Sequence, residues 1–213
     1  LQMEHPDRLH LCGQDVHYTG LVFGRGFQAP ADHLGDPEIV NAVAGASFAI
    51  RRELWQALHG FDEMLFMYYE ETDLSWRAQL QGYRCLCAPA SMVLHDYRVG
   101  HSSHSQLYHS MRNRVLMNLK NWRWPTLGLL LPGLLVAEAI EWFLAYTSGG
   151  PGIRAKLNAL RWLMAHPRAV LSQRRSVQGT RTVNDAEILR DRCCRLRPVI
   201  VTGGRLGAVI TRL

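Results

Sequence analysis

The chain has 213 residues, 47% of them hydrophobic and 20% charged, the composition of a globular protein with a substantial core. Its net charge of +6 is uneven: residues 1–148 hold 11 Lys/Arg against 15 Asp/Glu, while residues 149–213 hold 13 against 3. That asymmetry gives the last third a separate task, with an anionic surface as its natural partner. Five cysteines, an odd number without a C-x-x-C pair, exclude a simple disulfide scaffold. Cys193 and Cys194 are adjacent, a poor spacing for a bridge, so the thiols read as reduced and the compartment as cytosolic. No secretory signal is visible, and Leu1 opens inside what reads as an ordered segment, as in a fragment.

Residues 1–36, rich in Gly, His and Asp, predict loops and short strands. From Glu38, the run IVNAVAGASFAI around Gly45 predicts a buried strand. RRELWQALHG predicts a short amphipathic helix carrying Leu54, Trp55 and Leu58, stopped at Gly60. A second helix is expected from Leu74 to about Gln81, with Asp73 as its cap and Gly82 closing it. YRCLCAPASMVLH then reads as two short strands broken at Pro89, with Cys85 and Cys87 on one face. The order strand, helix, acidic loop, helix, strand is α/β or α+β.

After Ser105 the pattern turns helical, with Leu107, Met111, Val115, Leu116 and Leu119 at helical spacing. The apolar run from Pro125 to Thr147 carries no Lys or Arg but includes Glu138, Glu141 and Pro132. Its uncharged core, Trp124 to Ala137, is shorter than the ~20 apolar residues a span requires. Trp122, Trp124, Trp142 and Tyr146 bracket it as interfacial aromatics do, which favours a membrane-surface or partly inserted segment. A span and a helix in the protein core stay open. The following stretch, RAKLNALRWLMAHPRAVLSQRRSVQGTR, is basic and amphipathic, with Leu157, Leu160, Leu163 and Met164 among Arg154, Lys156, Arg161, Arg168, Arg174 and Arg175. Its cations track an apolar stripe and not an aromatic stacking platform, so anionic lipid fits better than nucleic acid. Residues from Cys193 onward carry no readable signal.

The richest segment is GFDEMLFMYYEETDLSWR, from Gly60 to Arg77, where Glu70, Glu71 and Asp73 follow an aromatic cluster. Carboxylates this close persist on a solvated face, at a helix start, or where a cation or proton transfer uses them. Four blocks in order complete the picture: AGASFAIRRELW, the acidic segment running on to QLQGYR, APASMVLH and RNRVLMNLKNW. Together they resemble a bacterial family 2 glycosyltransferase, closest to the rhamnosyltransferase-like enzymes of cell-surface polysaccharide assembly, over about Leu11 to Arg181. The resemblance implies an α/β fold, the C-terminal, acceptor-side half of a GT-A (nucleotide-diphospho-sugar transferase) fold. That portion would occupy 1–120, with a helical, basic, membrane-associating region over 121–213. It implies an inverting enzyme that moves a sugar from a nucleotide-sugar donor to a lipid-linked or polysaccharide acceptor at the cytoplasmic face of the inner membrane. In that family an Asp-x-Asp motif in the preceding half holds a divalent metal, and no D-x-D occurs here.

By the same resemblance Glu71 takes the place of the family's general base, a Glu where Asp is usual. Glu70 and Asp73 orient the loop and helix, Gly45 and Ala46 let the acceptor or backbone approach closely or merely pack a strand, and Trp76 offers a face to a sugar or packs in the core. His95 resembles a histidine that completes the Mn²⁺ or Mg²⁺ site. Arg112 and Arg114 correspond to a region near the diphosphate, where guanidinium groups suit bidentate contacts or else form a solvated helix face. His101, His104 and His109 lack a Cys partner and a finger pattern, which disfavours zinc. The competing expectation is a non-catalytic membrane-surface adaptor on a degenerate transferase fold.

Overall fold

Two short strands near the N-terminus, β1 (Gln14–Val16) and β2 (Val22–Gly24), form an antiparallel hairpin in the computed structural model, which describes residues 1–33, 35–96 and 104–192. Its turn docks against the first long helix. A Cβ at Gly20, which has φ +82°, would meet the Asn118 amide at 2.4 Å, so close approach and backbone sign both demand glycine. A second antiparallel pair joins β3 (Glu38–Val40) to β4 (Cys85–Cys87). The strand expected on from Glu38 to Ile50 is thus regular only at its start. Ala42 bridges Gln14, and beyond it the Val43 amide donates to the Ser75 hydroxyl at 3.1 Å, which draws the chain into a loop over a helix. Of the two strands expected around Pro89, the second is reduced to a single bridge between His95 and Gln2.

The helices follow the apolar periodicity. α1 (Arg52–Ala57) ends before Gly60, whose φ of +65° and Trp55 contact leave no room for a Cβ. α2 (Glu70–Leu80) begins four residues earlier than expected. Its boundary is Tyr69 in the left-handed region, so Asp73 sits inside the helix and does not cap it. α3 (His104–Asn121), α4 (Trp124–Thr147), α5 (Gly149–Ala165), α6 (Pro167–Thr180) and α7 (Asp185–Asp191) complete the chain. α7 opens on a capping box between Asn184 and Glu187. The result is a mixed α/β chain with two small sheets and a mainly helical second half.

One hydrophobic cluster crosses the boundary expected at 120, joining Trp76, Leu80 and Met117 to Trp122, Val177 and Ile188. The C-terminal helices therefore share a core with α2 and α3. Trp76 is fully buried, edge-on to Trp122 at 4.6 Å and under the Arg192 guanidinium at 4.4 Å. It presents no face to a sugar.

Much of the buried charge among the described residues is gathered in two networks. Asp73 accepts from Arg77 at 2.7 Å, Lys120 at 3.2 Å and Asn121 at 3.1 Å, while Lys120 also pairs with Asp62. Burial pushes the Asp73 carboxyl up, but Lys120 and Arg77 outweigh it and hold it below the ordinary range. In the second network Arg114 and Lys156, from α3 and α5, pair with Glu138 and Glu141 of α4. Lys156 and Arg174, grouped by sequence with the surface cations, are both buried.

Candidate functional site

Glu71 stands in the first turn of α2, beneath the loop that carries Gly45. Its Oε1 accepts from the Gln14 side-chain amide at 2.8 Å, and the Thr72 hydroxyl donates to the Gln14 carbonyl oxygen at 2.7 Å. This chain fixes the amide, and the amide fixes the carboxylate. The other oxygen, Oε2, is buried without a hydrogen-bond partner among the described residues. Gly45 is exposed, and a Cβ there would lie 3.3 Å from the Glu71 carboxyl group. A side chain at this position would crowd the carboxyl group. Glu70, beside it, also has an unpartnered Oε2; burial first, and then the Glu71 charge, pushes its carboxyl above the usual range.

The approach to these carboxylates is strained. Phe66, Tyr68 and Tyr69 all have positive φ, at 63°, 61° and 73°. Non-glycine residues there cost on the order of 1 kcal/mol each, and such strain tends to gather at functional sites. Asn113 of α3 offsets it. Its side-chain amide donates to the carbonyls of Leu65, Met67 and Tyr68 at 2.7–2.8 Å, two protons shared among three acceptors. Phe66 is held 73% exposed on this loop, 5.3 Å from the His109 ring.

Arg112 and Arg114 face inward. Arg112 donates to the carbonyls of Met64 and Leu65, to Asn113 and to the Tyr108 hydroxyl, and lies 4.7 Å from the Trp162 ring centre. Arg114 binds Glu141, Glu138 and the Thr19 carbonyl. Neither guanidinium is a solvated face or open to a diphosphate, since both are nearly inaccessible and their donors are engaged. Burial and Glu141 raise the Tyr69 phenol, with Arg114 opposing and Glu71 adding.

His95 lies apart, in a cleft of about 400 Å³ formed by segments 9–13, 43–49 and 86–95. Ala46 lines this cleft; Glu71 does not. The His95 Nδ1 is 2.8 Å from the Nδ1 of His10, whose pKa falls to about 4 through burial and then the His95 charge. Cys12 and Cys87 border the same space as free thiols. Among the described residues no three His, Cys, Asp or Glu side chains converge on one point. His95 and His10 bring two imidazoles together here, a partial donor set for a divalent metal. His101, Cys193 and Cys194 lie outside the described residues.

α4 presents a second surface. Its inner face is covered along its length: Leu127 and Leu130 on the core, Gly133 against Tyr18, then Ala137, Glu141 and Ala145. Every exposed position from Trp124 to Thr147 is uncharged. Leu129 at 75% and Tyr146 at 72% are the most open. The most apolar stretch of the helix has a mean hydropathy of 1.7, long and apolar enough to associate with a membrane. Both its carboxylates turn inward to Arg114 and Lys156, which makes an uncharged outer face feasible. The sequence reading missed Gln14, Asn113 and Tyr69. Asn113 stood inside the RNR block, but a single amide carries no pattern that marks it as a clamp. Comparisons with protein-family models, curated proteins and solved structures find no match.

Proposed function

We propose that the chain is the acceptor-side part of an inverting glycosyltransferase of GT-A type, working on a lipid-linked or polysaccharide acceptor at the cytoplasmic membrane surface. The observation that carries this reading is the Glu71 carboxylate: one oxygen held by Gln14, the other unpartnered. In the proposed step Glu71 Oε2 takes the acceptor hydroxyl proton as that oxygen attacks the anomeric carbon. The bond from that carbon to the diphosphate oxygen breaks, the nucleoside diphosphate departs, and the configuration inverts. Glu70, kept protonated to higher pH, and the Asn113-clamped loop position the base. A divalent metal, Mn²⁺ or Mg²⁺, would stabilise the leaving diphosphate, with His95 as one ligand and the others from the family's donor-binding half. The diphosphate role for Arg112 and Arg114 is not carried forward, because protein groups engage their donors.

The docking of α4 supports a peripheral membrane position. For α4 to cross a bilayer while docked, α5 would take Arg154 and Arg161 into hydrocarbon, each costing about 3 kcal/mol or more. Lying in the interface plane, α4 buries its outer face without that cost. Exposed arginines recur at 154, 161, 168 and 175, with exposed Leu157, Met164 and Leu171 between them, which suits anionic lipid.

The test is sugar transfer by the full gene product that carries this sequence, from a panel of nucleotide-sugars to membrane lipid and polysaccharide acceptors. Glu71→Gln is expected to lower the rate by about 100-fold or more at unchanged thermal stability. An unchanged rate would sink the assignment of the base. A gene product that binds membranes and transfers no sugar would establish the adaptor instead.

A further inference from the structure

At the start of α4 an open pocket of about 460 Å³ is lined by Arg123, Trp124, Leu171, Arg174, Arg175 and Gln178. It gathers three guanidinium groups and no carboxylate. Arg174 is buried, bound to the Leu119 and Trp122 carbonyls, and stacked at 3.9 Å on the Trp124 ring. Arg123 and Arg175 are exposed and form no side-chain ion pair among the described residues. Asp185, the acidic group close enough to influence Arg174, is already engaged by Arg181, the Arg123 backbone N–H and the Thr126 hydroxyl. Positive charge is thus concentrated where the apolar outer face of α4 begins. Trp124, 56% exposed, and Leu171, 40% exposed, make the apolar rim between the two.

We propose that this pocket binds the phosphate of an anionic lipid whose acyl chains lie along the exposed face of α4. Guanidinium groups present planar pairs of N–H donors that match phosphate oxygens. An amphipathic tryptophan at the headgroup level suits the boundary between phosphate and chain. The pocket turns a general attraction into a fixed contact: it sets where along α4 the headgroup layer lies, and so the depth and rotation of the helix. The inference rests on the peripheral membrane position proposed above and is independent of sugar transfer.

The test is co-sedimentation of the full chain with vesicles of phosphatidylcholine alone or with added phosphatidylglycerol. Wild type is expected to prefer the anionic vesicles. Arg123→Gln/Arg175→Gln is expected to weaken anionic binding about 30-fold, from roughly a fivefold loss per cation near such a surface. Arg161→Gln/Arg168→Gln removes the same charge outside the pocket and is expected to weaken anionic binding clearly less than the pocket pair does. Equal losses from the two pairs would mean diffuse attraction and overturn the pocket. Equal binding of wild type to both vesicle types would also overturn it, while leaving the apolar attachment standing. Leu135→Glu tests that attachment, because it should release the chain from both. Release of wild type from anionic vesicles by 10 mM inorganic phosphate at constant ionic strength, to the level of the pocket variant, would make free phosphate the ligand and overturn the lipid assignment.

Discussion

At Asn113 one amide on a helix binds three carbonyls, 45 to 48 positions away, of the loop that holds three left-handed residues. Phe66, Tyr68 and Tyr69 favour extended or right-handed backbone, so the loop keeps its shape only while that amide holds it. Asn113→Ala should cost about 2–3 kcal/mol of unfolding free energy, the sum of hydrogen bonds to buried carbonyls left without partners. Urea denaturation measures that loss, and limited proteolysis should show new cleavage between Met64 and Tyr69. Asn113→Asp separates donor loss from cavity effects: it keeps the shape, removes both protons and should lose as much. A stability within 0.5 kcal/mol of wild type for Asn113→Ala, an order set by ordinary surface changes, would mean that the loop holds itself.

The element that decides the character of the chain is α4. Its sequence places Glu138 and Glu141 in an apolar run, a pattern that argues against both a span and a simple core helix. The structure resolves the conflict by pairing both carboxylates with Arg114 and Lys156 on the docked side. Removing one member leaves the others buried and uncompensated. Glu141→Gln should therefore destabilise the fold by on the order of 3 kcal/mol, read as a lower denaturant midpoint. Glu141→Gln combined with Lys156→Met should recover part of that loss, since an apolar replacement for a cation needs no counter-charge. No recovery in the double variant would mean that the destabilisation comes from packing rather than from unpaired charge.

For the whole molecule, the Asp73 network ties α2 to α3 and to the Asp62 loop. Its carboxyl is held below the ordinary range by Lys120 and Arg77, with Asn121 donating and Asp62 facing Lys120 from the loop. Because the folded state binds the Asp73 proton more weakly than the unfolded chain does, the network stabilises fully above the ordinary carboxyl pKa near 3.8. That stabilisation is lost as pH falls through the lower, folded value. Unfolding midpoints measured from pH 6 down to pH 2 should drop below about pH 4, and Asp73→Asn should be less stable at pH 6 and flatter across that range. A wild-type profile parallel to that of Asp73→Asn would assign the acid sensitivity to other groups.

The sequence by itself determined the apolar periodicity of α1 and α3, the apolar run that becomes α4, and the charge division near residue 148. Periodicity and local charge are properties of neighbouring residues, and hydrophobic burial follows them directly. The early start of α2 was hidden because the loop leading into left-handed Tyr69 is held at the Tyr68 carbonyl by an amide on α3, a contact with no local signature. The same applies to Arg112, Arg114, Lys156 and Arg174. In sequence they read as cations available to ligand or lipid, and only the docked helices bury them, with carbonyls or carboxylates as partners. A charged side chain is legible as charge; whether it meets water, lipid or a buried partner depends on which distant element folds over it. Tertiary structure therefore made Glu71 a carboxylate with one free oxygen and left Arg123 and Arg175 as the open cations beside the apolar helix.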